Sequence, residues 1–81
     1  MLYTFTLHED AWFRRNEVRQ VNGYRVGGMP DGNTARIADF GAPSRNDWRI
    51  MRITGDNTQT DWTGHYENVE DALAALQQVC Q

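Results

Sequence analysis

The chain has no lysine, a single cysteine, a single serine and only two prolines among its 81 residues, and no basic residue follows Arg52. Each scarcity excludes something. Cys80 has no partner for an internal disulfide, so the fold must stand on packing and hydrogen bonds, without the cross-links common in secreted chains of this size. No apolar run approaches the roughly 18 residues of a membrane span. The opening MLYTFTLHED carries neither the basic nor the apolar segment of a signal peptide. These absences predict a soluble, cytoplasmic protein with no membrane partner. The length leaves room for one domain, residues 1–81, with one small core. The core has material: 40% of residues are hydrophobic, and three Trp, three Tyr and three Phe supply large buried surfaces. With 23% charged residues and a net charge of −3, the composition is globular rather than disordered.

Hydropathy patterning divides the chain into short strands and one helix. Tyr3, Phe5 and Leu7 alternate with Thr4, Thr6 and His8, the period of two that predicts a half-buried strand over 2–8. Glu9-Asp10 followed by Ala11–Arg15 has the charge order of a single helical turn. Asn22-Gly23 would close a hairpin between 18–21 and 24–29. Pro30-Asp31-Gly32-Asn33 would instead pair 24–29 with 34–40, and one meander can use both turns. Gly27-Gly28 marks a bulge or the close approach of another backbone. Residues 48–54 (WRIMRIT) have no internal breaker and make the best central strand; a polar turn over 55–60 leads into a further strand over 61–66.

Asn68 can cap a helix whose apolar positions, Val69, Ala72, Leu73, Leu76, Val79 and Cys80, form one stripe. Asp71, three residues after Asn68, resembles the acidic member of a capping box, and Glu70 and Asp71 both suit the helix dipole. A helix of about eleven residues is marginal alone in water, so its stripe must dock on a sheet face bearing Phe5, Trp48 and Ile50. The prediction is an α+β fold: an antiparallel sheet of four or five strands with one C-terminal helix packed on one face.

Catalytic constellations are missing. Cys80 falls in the apolar stripe, where a small hydrophobe belongs, and Ser44 sits in a loop without a motif. His8, Glu9, Asp10, His65 and Cys80 lack any metal-ligand spacing. Gly27, Gly28 and Gly32 make no phosphate-binding fingerprint, and Glu70-Asp71 is explained by helix capping. The sequence therefore predicts no enzyme activity, no metal and no cofactor.

Charge layout is more informative. Residues 1–52 hold all eight arginines against six acids, whereas residues 53–81 hold five acids and no base. Asp56, Asp61, Glu67, Glu70 and Asp71 interleave with Trp62, His65 and Tyr66, a pattern that predicts a partner-binding surface on which aromatics anchor and carboxylates steer. The expected partner is a bacterial protein complex with a basic surface, bound by a monomer or small homo-oligomer. The alternative is nucleic acid, tracked by Arg25, Arg36, Arg49 and Arg52 on a sheet face. Against it, Arg49 and Arg52 are three apart and point to opposite faces of a regular strand, and a negative total charge weakens long-range attraction.

Two resemblances follow from these segments. Trp48–Ile53, then Thr63-Gly64-His65-Tyr66, then Asn68–Leu76 look like the strand, strand, glycine-x-aromatic, helix ending of several small sheet-plus-helix modules, three-stranded DNA-binding domains among them, from which residues 53–81 depart in lacking any base. In size, in lacking a catalytic set, in a lysine-free composition compatible with a GC-rich bacterial genome, and in the acidic-aromatic segment from Asp56 to Asp71, the whole chain resembles the anti-CRISPR proteins. These are small phage and mobile-element inhibitors of bacterial defence complexes. That resemblance implies stoichiometric inhibition in the cytoplasm of a bacterial host, with carboxylates occupying places meant for phosphates.

Overall fold

The computed structural model describes residues 2–10, 23–41 and 46–80. Within them β1 (Thr6–Glu9), β2 (Gly23–Gly27), β3 (Thr34–Asp39), β4 (Trp48–Ile53) and β5 (Thr63–Tyr66) form one antiparallel sheet in chain order, followed by helix α1 (Val69–Cys80). This is the α+β architecture that the patterning predicts, with five strands. Chain order in the sheet makes β1 and β5 its edges and places β4 between β3 and β5.

The turn chemistry decides the β2–β3 pairing. Pro30–Gly32 form a 3-10 turn closed by the Asn33 N–H on the Pro30 carbonyl at 3.1 Å, with Gly32 at φ +71°. Proline presets the first φ and glycine takes the left-handed position, so β2 folds back on β3 with Tyr24 opposite Ile37. Gly23 belongs to no turn: it opens β2 opposite Ala38, so β2 pairs with β1 and β3. The strand expected over 18–21 and residues 11–15 of the expected helical turn lie outside the described residues; the acids expected to open that turn continue the first strand instead, with Glu9 in β1 and the Asp10 N–H on the Gly23 carbonyl at 3.2 Å.

The first strand is shorter and later than alternation suggests, because Tyr3 is claimed by the helix. Its N–H donates to Gln77 Oε1 at 3.0 Å, Gln77 Nε2 donates back to its carbonyl, and its hydroxyl donates to the Cys80 carbonyl at 3.2 Å. The segment ahead of β1 therefore runs beside α1, with Tyr3 and Phe5 half-buried, while all four β1 residues are exposed. Gly28 makes this passage possible. It has φ +88°, and a Cβ there would lie 2.3 Å from the Thr4 carbonyl oxygen. The close backbone approach expected at the glycine pair is thus made by Thr4.

The core lies between one sheet face and α1. Val26, Ala35, Ile37, Trp48 and Ile50 meet Ala72 and Leu76, with Phe5, Tyr24, Tyr66, Val69 and Leu73 packed around them. The Asp71 N–H donates to Asn68 Oδ1 at 2.8 Å, which is the expected cap. The stripe is not buried along its whole length. Ala72 and Leu76 are inaccessible, Leu73 is half-buried and Val79 remains 50% exposed, because α1 packs mainly on β4 and β5.

Leu76→Ala should therefore cost about 2–5 kcal/mol, the half-buried Leu73→Ala clearly less, and Asn68→Ala about 1 kcal/mol, measured by denaturant unfolding. Equal losses at Leu73 and Leu76 would contradict this seating of the helix. Gly28→Ala should cost roughly 1 kcal/mol or more, since it adds both a left-handed alanine and a collision with Thr4.

Candidate functional site

Strand parity puts a different chemistry on the face away from α1. His8, Arg25, Arg36 and Met51 lie opposite one another across β1 to β4, and Ala38 lies opposite Arg49. Ala38 and Met51 are buried although they belong to no helix contact in the core. Two of the three arginines on this face carry a carboxylate. Arg36 Nε is 3.1 Å from Asp10 Oδ2, an ion pair without the alignment of a hydrogen bond, and Arg49 Nη2 donates to Asp47 Oδ2 at 2.9 Å. Arg25 is exposed and has no ion pair among the described residues. Arg52 lies on the other face, opposite Ala35, as the three-residue spacing requires.

Asp47 joins the arginine face to the β5 edge. Its Oδ1 lies 2.9 Å from His65 Nδ1 while its Oδ2 holds Arg49. An ionised carboxylate only accepts, so Nδ1 carries the hydrogen and Nε2 is left toward solvent on a side chain that is 74% exposed. Asp39, at the end of β3, holds Asp47 in place. Its buried Oδ1 accepts the N–H of Asp47 at 2.8 Å and of Gly41 at 3.0 Å, and the Phe40 N–H closes the loop on the Asp47 carbonyl at 2.9 Å. The Arg49 guanidinium sits 4.9 Å from the centroid of Phe40, whose ring meets Trp62 edge-on at 5.0 Å. The hydrogen bond from Arg49 first, and that from His65 second, hold the Asp47 carboxyl below the usual carboxylate range against the opposing pull of burial.

The result is an oriented imidazole backed by a carboxylate and an arginine. Among the described residues no hydroxyl or thiol bonds to the His65 ring, and no three His, Cys, Asp or Glu side chains gather as metal ligands. The surface here presents a ring nitrogen, a guanidinium edge and the exposed carboxylate of Glu67.

The residues expected to bind a partner divide by position. Asp56, Asp61, His65, Glu67, Glu70 and Asp71 are exposed along β5 and its continuations. Asp56 lies in the β4–β5 connection, at the opposite end of the sheet from Glu67, Glu70 and Asp71, roughly 17 Å away along β4. The expected single patch is therefore an elongated edge. The two aromatics are half-buried: Tyr66 packs toward the core, and Trp62 on Phe40. Asp56 is tied to its own turn, its carboxyl held low by the Thr54 hydroxyl and then by Thr58. Cys80 is partly covered by its surroundings, and burial pushes its thiol up.

Asp10, Asp39, Phe40 and Asp47 were not anticipated as site residues. Asp47 and Arg49 are readable in retrospect, since opposite charges two apart on a strand share a face. His65 is not, because its place depends on a register shift between Trp48 and Ile50, opposite Gly64 at φ +86°. Comparison of the chain with protein-family models, with curated proteins and with solved structures gives no match.

The lowered carboxyl of Asp47 sets a sign for stability against pH. A carboxyl whose folded value lies below its unfolded value of about 4 stabilises the fold above that value and loses the contribution as pH falls through the folded one. The denaturant midpoint should drop on acidification from about pH 5 to pH 2. Asp47→Asn should lower it at neutral pH and shrink that drop without abolishing it, since Asp56 titrates in the same direction. An unchanged profile in Asp47→Asn would show that the Arg49 and His65 contacts do not form in solution.

Proposed function

We propose that this protein is a non-catalytic, anti-CRISPR-like inhibitor that binds a basic, nucleic-acid-handling bacterial defence complex in the host cytoplasm, through its β5 edge and the adjoining first turn of α1. One observation carries the reading. Exposed carboxylates flank β5 at both ends, Asp56 and Asp61 before it and Glu67, Glu70 and Asp71 after it, and among the described residues none of the five is in an ion pair. No lysine or arginine lies in residues 53–81 to neutralise them. Asp61 and Glu67, exposed and without an ion pair, contribute little to folding, and acids grouped at both ends of β5 present the field that a phosphate-binding groove on a partner is built to receive. His65 and the half-exposed Trp62 supply directional and apolar contacts beside these acids.

The arginine face fits nucleic acid less well. Arg36 and Arg49 already hold Asp10 and Asp47 and Arg52 lies on the other face, so of the four expected arginines this face offers phosphate one without an ion pair among the described residues, Arg25.

Capture on immobilised protein from bacterial lysate, with and without nuclease, tests the reading. Asp61→Arg and Glu67→Arg should each weaken recovery of a nuclease-resistant protein complex while leaving the unfolding midpoint unchanged, with slower association and stronger salt dependence where the pair is at the rim. Recovery of nucleic acid alone, lost on Arg25→Gln and indifferent to both acid reversals, would replace this function with nucleic-acid binding.

A further inference from the structure

At the end of the sheet away from His65, the last turn of α1, the Pro30 turn and the β4–β5 connection enclose a cavity of about 270 Å³. Met29, Pro30 and Val79 form its apolar wall, with Cys80 beside Val79; Ile53 borders it from β4, where strand parity turns its side chain to the face away from α1. The half-exposed Val79, a stripe position that the core does not cover, faces this space.

The polar lining is one-sided in its chemistry. The Thr54 hydroxyl is engaged by Asp56 and by the Thr58 carbonyl, and the Thr60 hydroxyl accepts the Arg52 N–H at 2.9 Å and donates to the Asp61 carbonyl at 3.3 Å. Asn33 Oδ1 accepts the Gly55 N–H at 2.9 Å, which fixes the amide and leaves Nδ2 without a partner among the described residues. The Arg52 guanidinium has neither a hydrogen bond nor an ion pair among the described residues. Asp56, the acid closest in sequence on that side, is turned toward Thr54 and Thr58. Once the local bonds are made, the side-chain nitrogens left to a ligand only donate.

We propose that this cavity binds a small monocarboxylate, with its carboxylate on Arg52 and Asn33 and a compact apolar body against Met29, Pro30 and Val79. The planar guanidinium fork matches a carboxylate. A phosphate monoester fits worse: among the described lining residues Arg52 is the only cation, a dianion calls for more than one, and the partial negative charge at the end of α1, with no base in its last turn, opposes a dianion more than a monoanion. The volume restricts the body to about one ring or a short branched chain, below the range of drug-sized pockets.

The test uses the full chain and three probes: benzoate, neutral benzamide and inorganic phosphate. Amide ¹⁵N–¹H spectra report occupancy, and the rate of Cys80 alkylation by iodoacetamide gives a second readout from inside the cavity. Benzoate should shift the amides of Asn33, Arg52 and Thr60 saturably and slow alkylation. Arg52→Gln should weaken binding at least about tenfold, the loss of one charge-assisted contact, with spectral dispersion retained, and Arg52→Lys should recover part of it. No saturable shift at millimolar benzoate, equal binding of benzamide, unaltered affinity in Arg52→Gln, or tighter binding of phosphate would each overturn the proposal.

Discussion

Burial of Leu76 and Ala72 against Trp48 and Ile50 is the contact through which the rest of the structure acquires its sides. A twelve-residue helix is marginal alone in water, and a small sheet without a covered face has no core, so each element exists because the other covers it. Seating the helix also fixes parity along every strand. A slip of one residue in β3 or β4 would turn Ile37 and Ile50 to solvent and drive Arg36 and Arg49 under the helix, which makes the register costly to change. The Gly28 passage and the Tyr3–Gln77 bonds follow from the same contact, since they bring the segment ahead of β1 alongside the seated helix.

Parity then creates the problem that the opposite face solves. Arg25 and Arg36 stand directly across from each other, an arrangement of like charges that destabilises a sheet, and Arg49 shares their face. Asp10 beside Arg36 and Asp47 beside Arg49 relieve the repulsion. Asp47 can do this only because Asp39 holds its backbone, so a buried carboxylate at the end of β3 supports an ion pair at the start of β4. Gly64 completes the arrangement on β5. A Cβ there would meet the Tyr66 ring at 2.2 Å, so the glycine lets Tyr66 lie toward the core while His65 reaches Asp47. Two of the four arginines that the sequence offers as phosphate trackers, Arg36 and Arg49, are thus occupied in holding the sheet's second face together.

What the sequence made legible divides along physical lines. Local signals were reliable. The cap at Asn68, the turn at Pro30–Asn33 and the uninterrupted run from Trp48 each depend on a few adjacent residues, and each formed. The alternation of Tyr3, Phe5 and Leu7 misplaced the first strand because period two marks an extended chain without saying what it pairs with; Tyr3 and Phe5 are half-buried, but Tyr3 bonds to α1 rather than to a strand. The stripe of α1 marked a face, not its length, so Val79 was expected inside and stands half outside. The acids were visible as composition, whereas their spread over the length of β4 required the hairpin. Least legible was the Asp39, Asp47, Arg49 and His65 cluster, which assembles residues from three strands through one register shift.

The turn at Asp56 links the two proposed surfaces. Its carboxylate accepts from the hydroxyl of Thr54 and the amide of Thr58, and these bonds hold the carboxyl below the usual range. The acid at the far end of the β5 edge is thus turned to its own backbone, and Arg52 borders the cavity without it. The bonds made within the five-residue turn Thr54–Thr58 therefore hold the Asp56 carboxylate on its own turn, while the exposed Arg52 at the rim of the cavity has no ion pair among the described residues.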